Sequence, residues 1–141
     1  MTNTGTARGT GVAPARRRGR AVNVALWALQ SLLALVFAMA GLAKVFDDPA
    51  MVEMFATIGV GQWFRYVVGA LEISGAVGVL IPRFSGSAAI GLVCVMLGAI
   101  FTNLFVLGAS PVLPLGLLVA SVVVAWGRRS RTRAQADGNR R

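Results

Sequence analysis

The sequence predicts an all-α fold, a four-transmembrane-helix bundle with a short interfacial helix between helices 1 and 2. Hydrophobic residues make up 56% of the 141 residues and charged residues only 13%, whereas a soluble domain usually has about 25% charged residues. Four apolar segments each approach the roughly 20 residues that a helix needs to cross a hydrocarbon core of about 30 Å. These segments are residues 24–46, 64–82, 84–107 and 109–127.

Basic residues are concentrated at the two ends of the chain. The 14 Lys and Arg outnumber the 5 Asp and Glu, which gives a net charge of +9. Five of the basic residues precede the first span and six follow the last. The positive-inside rule therefore places both termini in the cytoplasm, with the chain crossing the membrane several times. Since this placement accounts for the charge, no nucleic acid is expected as a partner.

The two charged tails are expected to be disordered. Residues 1–23 and 128–141 are mainly small, polar or basic, so they cannot bury enough apolar surface to fold. The chain thus divides into two basic cytoplasmic tails and a membrane domain at residues 24–127. The first span could instead be a signal peptide cleaved after Ala40, but its apolar run is longer than the usual signal-peptide core.

The connection between the first two spans predicts a short helix. Asp48 is a typical N-cap residue, and Pro49 suits the first helical position. Apolar residues then recur at helical spacing until Gly59 and Gly61 end the pattern. This helix should lie in the outer interface, where it either covers the mouth of the bundle or gates a substrate.

The second span has the composition of a central packing helix. Ala70, Ser74 and Gly78 follow the small-xxx-small spacing that lets membrane helices approach closely. Gly69 and Gly75 add two more positions without a side chain. We expect this face of the span to contact a neighbouring helix.

Glu72 is the first residue to suspect of function, because it is the one carboxylate inside a predicted span. An ionisable group at that depth costs at least about 2.5 kcal/mol, so it should face the bundle interior and a partner. The helical rise places Lys44, Arg65, Glu72 and Asn103 in the outer half of the bundle, where they could converge. Three interpretations stay open: an ion pair that fastens two helices, a polar pocket for a headgroup or quinone-like carbonyl, or cations that extend to lipid phosphates.

The available residue types limit the chemistry. The chain has no His, the commonest metal ligand and a frequent haem ligand, and one Cys, Cys94. Asp47 and Asp48 are assigned to the cap of the loop helix, which leaves no carboxylate pair for acid–base work. We therefore predict no catalytic residue, no metal site and no intrinsic cofactor, although a quinone would be compatible with the polar residues of the spans.

Three short motifs occur in order along the chain: GLAKVF at residues 41–46, GALEISGA at 69–76 and LIPR at 80–83. Together they resemble the DoxX and DoxX-like family of small bacterial integral membrane proteins, over about residues 24–127. The family's Lys and Glu positions fall on Lys44 and Glu72. The resemblance implies a compact four-helix inner-membrane protein. Members are described as a quinone-linked subunit of thiosulfate oxidation and as membrane anchors in oxidative-stress assemblies.

The leading functional hypothesis is a non-catalytic membrane subunit or anchor of a redox or stress-related complex, which could hold a quinone-like lipid. Its expected partners are the lipid bilayer and membrane or soluble redox proteins, and a homo-oligomer is compatible with the pattern. A small transporter or channel is the alternative, although the four spans show no internal repeat. An intrinsic oxidoreductase ranks below both.

The charge distribution predicts the topology. Reporter fusions or thiol labelling at Asn3 and at Gly138 should both report the cytoplasm, because basic residues flank both ends of the membrane domain. A label in the connection at residues 47–62 should react from outside. An external signal from either terminus would overturn this arrangement.

Overall fold

The computed structural model describes residues 13–138 of the chain, with side chains for residues 19–129. This part of the chain contains five helices. In this part the fold is all-helical, as predicted. The helices are α1 (Ala13–Val45), α2 (Pro49–Ile58), α3 (Gln62–Leu80), α4 (Ser85–Thr102, continued by a π-helical turn at Asn103–Leu107) and α5 (Val112–Gly138). Four of them, α1, α3, α4 and α5, are long and apolar enough to cross a membrane.

The two outer helices extend beyond the predicted spans. Helix α1 begins at Ala13 and α5 ends at Gly138, so residues 13–23 and 128–138 are helical where we expected disorder. The reason is that alanine and arginine, which are frequent in both segments, favour helix even without tertiary contacts. The rest of the two expected tails, residues 1–12 and 139–141, lies outside the described residues.

Helix α2 has the boundaries that the sequence predicts. The Asp48 side chain caps it by accepting hydrogen bonds from the backbone N–H groups of Ala50 at 3.0 Å and Met51 at 3.4 Å. Its C-terminal cap is Gly59, with φ of +79°, a left-handed conformation that glycine adopts without steric cost. The predicted short helix between the first two spans is therefore confirmed.

The four long helices form a bundle in which α1 packs mainly on α3, α4 packs on α5 and α3, and a smaller α1–α5 contact closes the ring. Apolar side chains fill its centre, including Leu33, Phe37, Val79, Leu92 and Val124. Many other large apolar side chains are exposed on the outside. An apolar exterior around a packed interior is the arrangement of a multi-pass membrane protein.

The backbones of α1 and α3 approach each other closely at two glycines. A Cβ added at Gly41 would lie 2.8 Å from the Gly69 carbonyl oxygen, and one added at Gly69 would lie 2.9 Å from the Gly41 oxygen. The predicted packing face of the second span is thus only partly correct. Gly69 lies close against α1, and Gly75 and Gly78 lie close against α4, whereas Ala70 and Ser74 are exposed.

We expect Gly69→Leu to destabilise the bundle, because backbone atoms of α1 occupy the space that the new side chain needs. Overpacking of this kind costs at least about 1–3 kcal/mol. The measurement is the thermal unfolding of the detergent-solubilised protein. Gly116→Leu on α5 is the matched control, since a Cβ there meets no atom within 4 Å. Equal unfolding temperatures for the two variants would contradict the close contact.

Candidate functional site

Glu72 faces the interior of the bundle because it lies on the buried side of α3. The buried residues of this helix recur every three or four positions and are Arg65, Gly69, Glu72, Ala76 and Val79. The partner of Glu72 is Lys44, in the last turn of α1. The Lys44 Nζ lies 2.8 Å from one carboxylate oxygen and 3.1 Å from the other. The two side chains are only 12% and 4% exposed, so the pair is held in a low-dielectric setting.

The geometry of antiparallel helices explains why these two residues meet. Lys44 follows Gly41 by three positions, and Glu72 follows Gly69 by three positions, so the two side chains start on opposite sides of the glycine contact. Side chains on a helix tilt towards its N-terminus. Both therefore lean towards the level of the contact, and the Lys44 Nζ also lies 3.4 Å from the carbonyl oxygen of Ala40, one turn back.

Arg65 belongs to a different cluster, at the end of the bundle that α2 covers, which we call the α2 end. Its Nε donates to the Gln62 side chain at 2.8 Å, and its two other nitrogens donate to the Lys44 backbone carbonyl and the Asp47 carboxylate. The Lys44 carbonyl is in the last turn of α1, where carbonyls lack helical donors. Arg65 thus caps α1 and does not pair with Glu72.

Asp47 is the anionic partner in this cluster. The structure corrects its predicted assignment to the loop cap, because Asp48 alone caps α2. The Asp47 backbone has φ of +58°, a left-handed conformation that aspartate tolerates better than most residues. The Tyr66 hydroxyl donates to its carboxylate at 2.7 Å. This hydrogen bond and the Arg65 guanidinium lower the pKa of Asp47 below its usual value.

A cavity of about 400 Å³ lies beside the ion pair, between α3 and α4 and below α2. We call it the ion-pair cavity. Met54, Phe55 and Ile58 of α2 form its cover. Most of the remaining wall is apolar, and its polar residues are Lys44, Glu72, Thr102 and Asn103.

The structure places three of the four predicted site residues at this cavity. Lys44 and Glu72 contact each other directly. Asn103 lines the same cavity, but its Nδ2 donates to the Ser110 carbonyl at 3.0 Å, which ties the π-helical turn to the loop before α5. Arg65 does not line the cavity. Cys94, for which no role was expected, is exposed and forms part of the wall.

A second polar cluster joins three helices towards the opposite end of the bundle, and the sequence did not predict it. Gln30 is fully buried, and its Nε2 donates to the Val79 carbonyl at 2.7 Å. Its Oε1 accepts from the Arg128 Nε at 2.9 Å. The Arg128 guanidinium also lies 5.0 Å from the ring centroid of Trp27. The sequence feature that could have indicated this cluster is Gln30, a single glutamine within a long apolar run.

The ion-pair cavity combines a cationic donor, an anionic acceptor and the polar side chains of Thr102 and Asn103 with an otherwise apolar wall. The Lys44 ammonium can donate to a carbonyl oxygen, and the Glu72 carboxylate can accept from a hydroxyl. The charges of the pair cancel, so a neutral ligand group meets no net repulsion. Phe55 and Phe64, with ring centroids 6.0 Å apart, lie on the wall and offer aromatic contact to a planar molecule.

Comparison with known protein families gives a match. The profile of the DoxX-like family matches residues 28–126, which include all of α2, α3 and α4, parts of α1 and α5, and both residues of the ion pair. No curated protein and no solved structure matches the chain.

The ion pair predicts coupling between Lys44 and Glu72. We expect Lys44→Met to lower the stability of the detergent-solubilised protein on the order of 3 kcal/mol, because it leaves a carboxylate without its buried partner. Glu72→Gln should cost less, since an amide oxygen can still accept from Lys44. The double variant should be more stable than the sum of the two losses implies.

Arg65→Met combined with Glu72→Gln provides the control for this cycle. Arg65 pairs with Asp47, so its coupling to Glu72 should be smaller than that of Lys44. Thermal or denaturant unfolding of all the variants gives both coupling energies. If Glu72 were coupled more strongly to Arg65 than to Lys44, the pairing of Glu72 with Lys44 would be wrong.

Proposed function

The chain belongs to the DoxX-like family, and from this premise we propose that it is a non-catalytic subunit or anchor of a redox or stress-related membrane complex that holds a quinone-like lipid in the ion-pair cavity. The observation that carries the proposal is the cavity itself. Its volume of about 400 Å³ lies within the roughly 300–1,000 Å³ of small-molecule sites, which are mostly apolar with a few placed polar groups.

The polar groups of the cavity suit both redox forms of a quinone. A quinone carbonyl can accept a hydrogen bond from the Lys44 ammonium. A quinol hydroxyl can donate to the Glu72 carboxylate. Because these two charges cancel, a neutral head is favoured over the anionic head of a phospholipid or fatty acid, which would face the Glu72 carboxylate.

Access from the bilayer supports a lipid ligand. Leu71, Cys94 and Gly98 line the cavity and are exposed on the outside of the bundle, so the cavity opens sideways between α3 and α4. A molecule dissolved in the membrane would enter here without crossing water. The centre of the bundle is filled by Phe37, Leu92 and their neighbours, which favours this lateral site over a channel along the bundle axis.

The proposed setting is a bacterial plasma membrane with both termini in the cytoplasm. Support comes from the positive-inside distribution of basic residues. In this orientation the cavity is nearer the outer surface, and the cytoplasmic ends of α1 and α5 are strongly basic. Electron transfer would be the task of a redox partner protein. Purification from native membranes, with identification of the proteins and quinones that co-purify, tests this part of the proposal.

The binding of a short-tailed benzoquinone tests the cavity. We expect saturable binding to the detergent-solubilised protein, measured by equilibrium dialysis, and about tenfold weaker binding to Gly98→Leu, because the leucine would fill part of the cavity. A Cβ at Gly98 meets no atom within 4 Å, so the substitution should not disturb helix packing.

Gly116→Leu is the matched control, because Gly116 is equally open but lies on α5 and does not line the cavity. It should bind the quinone as the wild type does. Lack of saturable binding to the wild type, or equal affinity of the two leucine variants, would refute the quinone site. Cys94→Ala should keep the affinity, since the thiol supplies only part of the wall.

A further inference from the structure

An apolar groove continues from the ion-pair cavity along the outside of the bundle. We call it the α3–α4 groove, and its volume is about 950 Å³. Leu71, Cys94 and Val95 line both the cavity and the groove. The two spaces therefore form one trough with a polar group at the α2 end and an apolar remainder.

The helical register explains why the trough is continuous. On α3, Phe64, Val68 and Leu71 line the cavity, and Gly75 and Gly78 follow at the same spacing to line the groove. On α4, Gly91, Val95 and Gly98 form the facing row. Residues that recur every three or four positions lie on one side of a helix. One side of α3 and one side of α4 thus line the trough along its length.

The length of the trough matches that of a long lipid chain. From Phe64 to Ile81 the rise of about 1.5 Å per residue gives about 25 Å, which is most of the roughly 30 Å of a hydrocarbon core. The floor is closed, because Leu92 packs against Gly75 so tightly that a Cβ there would lie 2.4 Å from it. The α4 side is open, because a Cβ at Gly91 would meet no atom within 4 Å.

We propose that the α3–α4 groove binds the isoprenoid tail of the quinone-like lipid whose head occupies the ion-pair cavity. This inference rests on the proposed function and specifies the ligand as a neutral head with a long tail. The tail leaves the cavity past Leu71 and Val95 and follows the groove towards Ile81 and Phe84. Contact with the groove gives long-tailed quinones an advantage that short-tailed ones lack.

The test compares two benzoquinones with the same head, one with a short tail and one with a long isoprenoid tail. Each displaces a labelled short-tailed quinone from the detergent-solubilised protein. We expect Gly91→Leu to weaken binding of the long-tailed quinone about fivefold or more, because the leucine side chain would occupy the groove. Binding of the short-tailed quinone should be unchanged. Gly116→Leu, the matched control, should change neither.

The ratio of variant to wild-type affinity is the quantity to compare, since partition of a quinone into detergent is the same for every variant. Equal effects of Gly91→Leu on both quinones, or no effect on either, would overturn the groove proposal while leaving the cavity site in place. Lack of saturable short-tailed binding to the wild type would instead refute the proposed function.

A photoreactive quinone gives a second measurement of the same inference. A long-tailed quinone with its reactive group near the far end of the tail should label the peptide that contains Ile81 and Phe84, which line the groove. Gly91→Leu should reduce this labelling and Gly116→Leu should not. Labelling spread over α5, which contributes no residue to the groove, would contradict the path of the tail.

Discussion

The contact between Gly41 and Gly69 is the constraint on which the other features of the bundle depend. Lipid chains are as apolar as leucine, so helices in a bilayer associate through close packing and polar contacts. The two glycines let the backbones of α1 and α3 touch, and at this separation the Lys44 ammonium reaches the Glu72 carboxylate. Packing and electrostatics are therefore coupled, because helices held further apart would leave a buried carboxylate without its counter-ion.

Lys44 connects the two polar clusters of the α2 end. Its side chain neutralises Glu72, while its backbone carbonyl accepts a hydrogen bond from Arg65. Arg65 in turn contacts Gln62, whose Nε2 donates to the Val52 carbonyl of α2 at 3.0 Å. One chain of hydrogen bonds thus joins the ion pair, the end of α1 and the helix that covers the cavity. A substitution at any of these residues should therefore alter the hydrogen bonds of the others.

Glycine has two opposite roles in this bundle. Gly69 and Gly75 lie against neighbouring helices so closely that a Cβ would overlap other atoms, whereas Gly91 and Gly98 face open space. The first pair allows the helices to pack, and the second leaves a trough between α3 and α4. This difference explains how a well-packed core can lie beside a ligand-sized space, and why substitution of the two pairs should affect stability and binding separately.

The sequence by itself determined the four spans, the capped helix between the first two, and the need of Glu72 for a buried partner. These depend on local periodicity, on the chemistry of Asp48 and Gly59, and on the cost of a charge in hydrocarbon, which require no knowledge of neighbouring helices. Only the tertiary structure decided that the partner is Lys44, that Arg65 pairs with Asp47, and that Gln30 contacts Arg128, 98 residues away. Periodicity shows which side of a helix is buried, but the rotation and axial offset of two packed helices decide which side chains meet and where space is left between them.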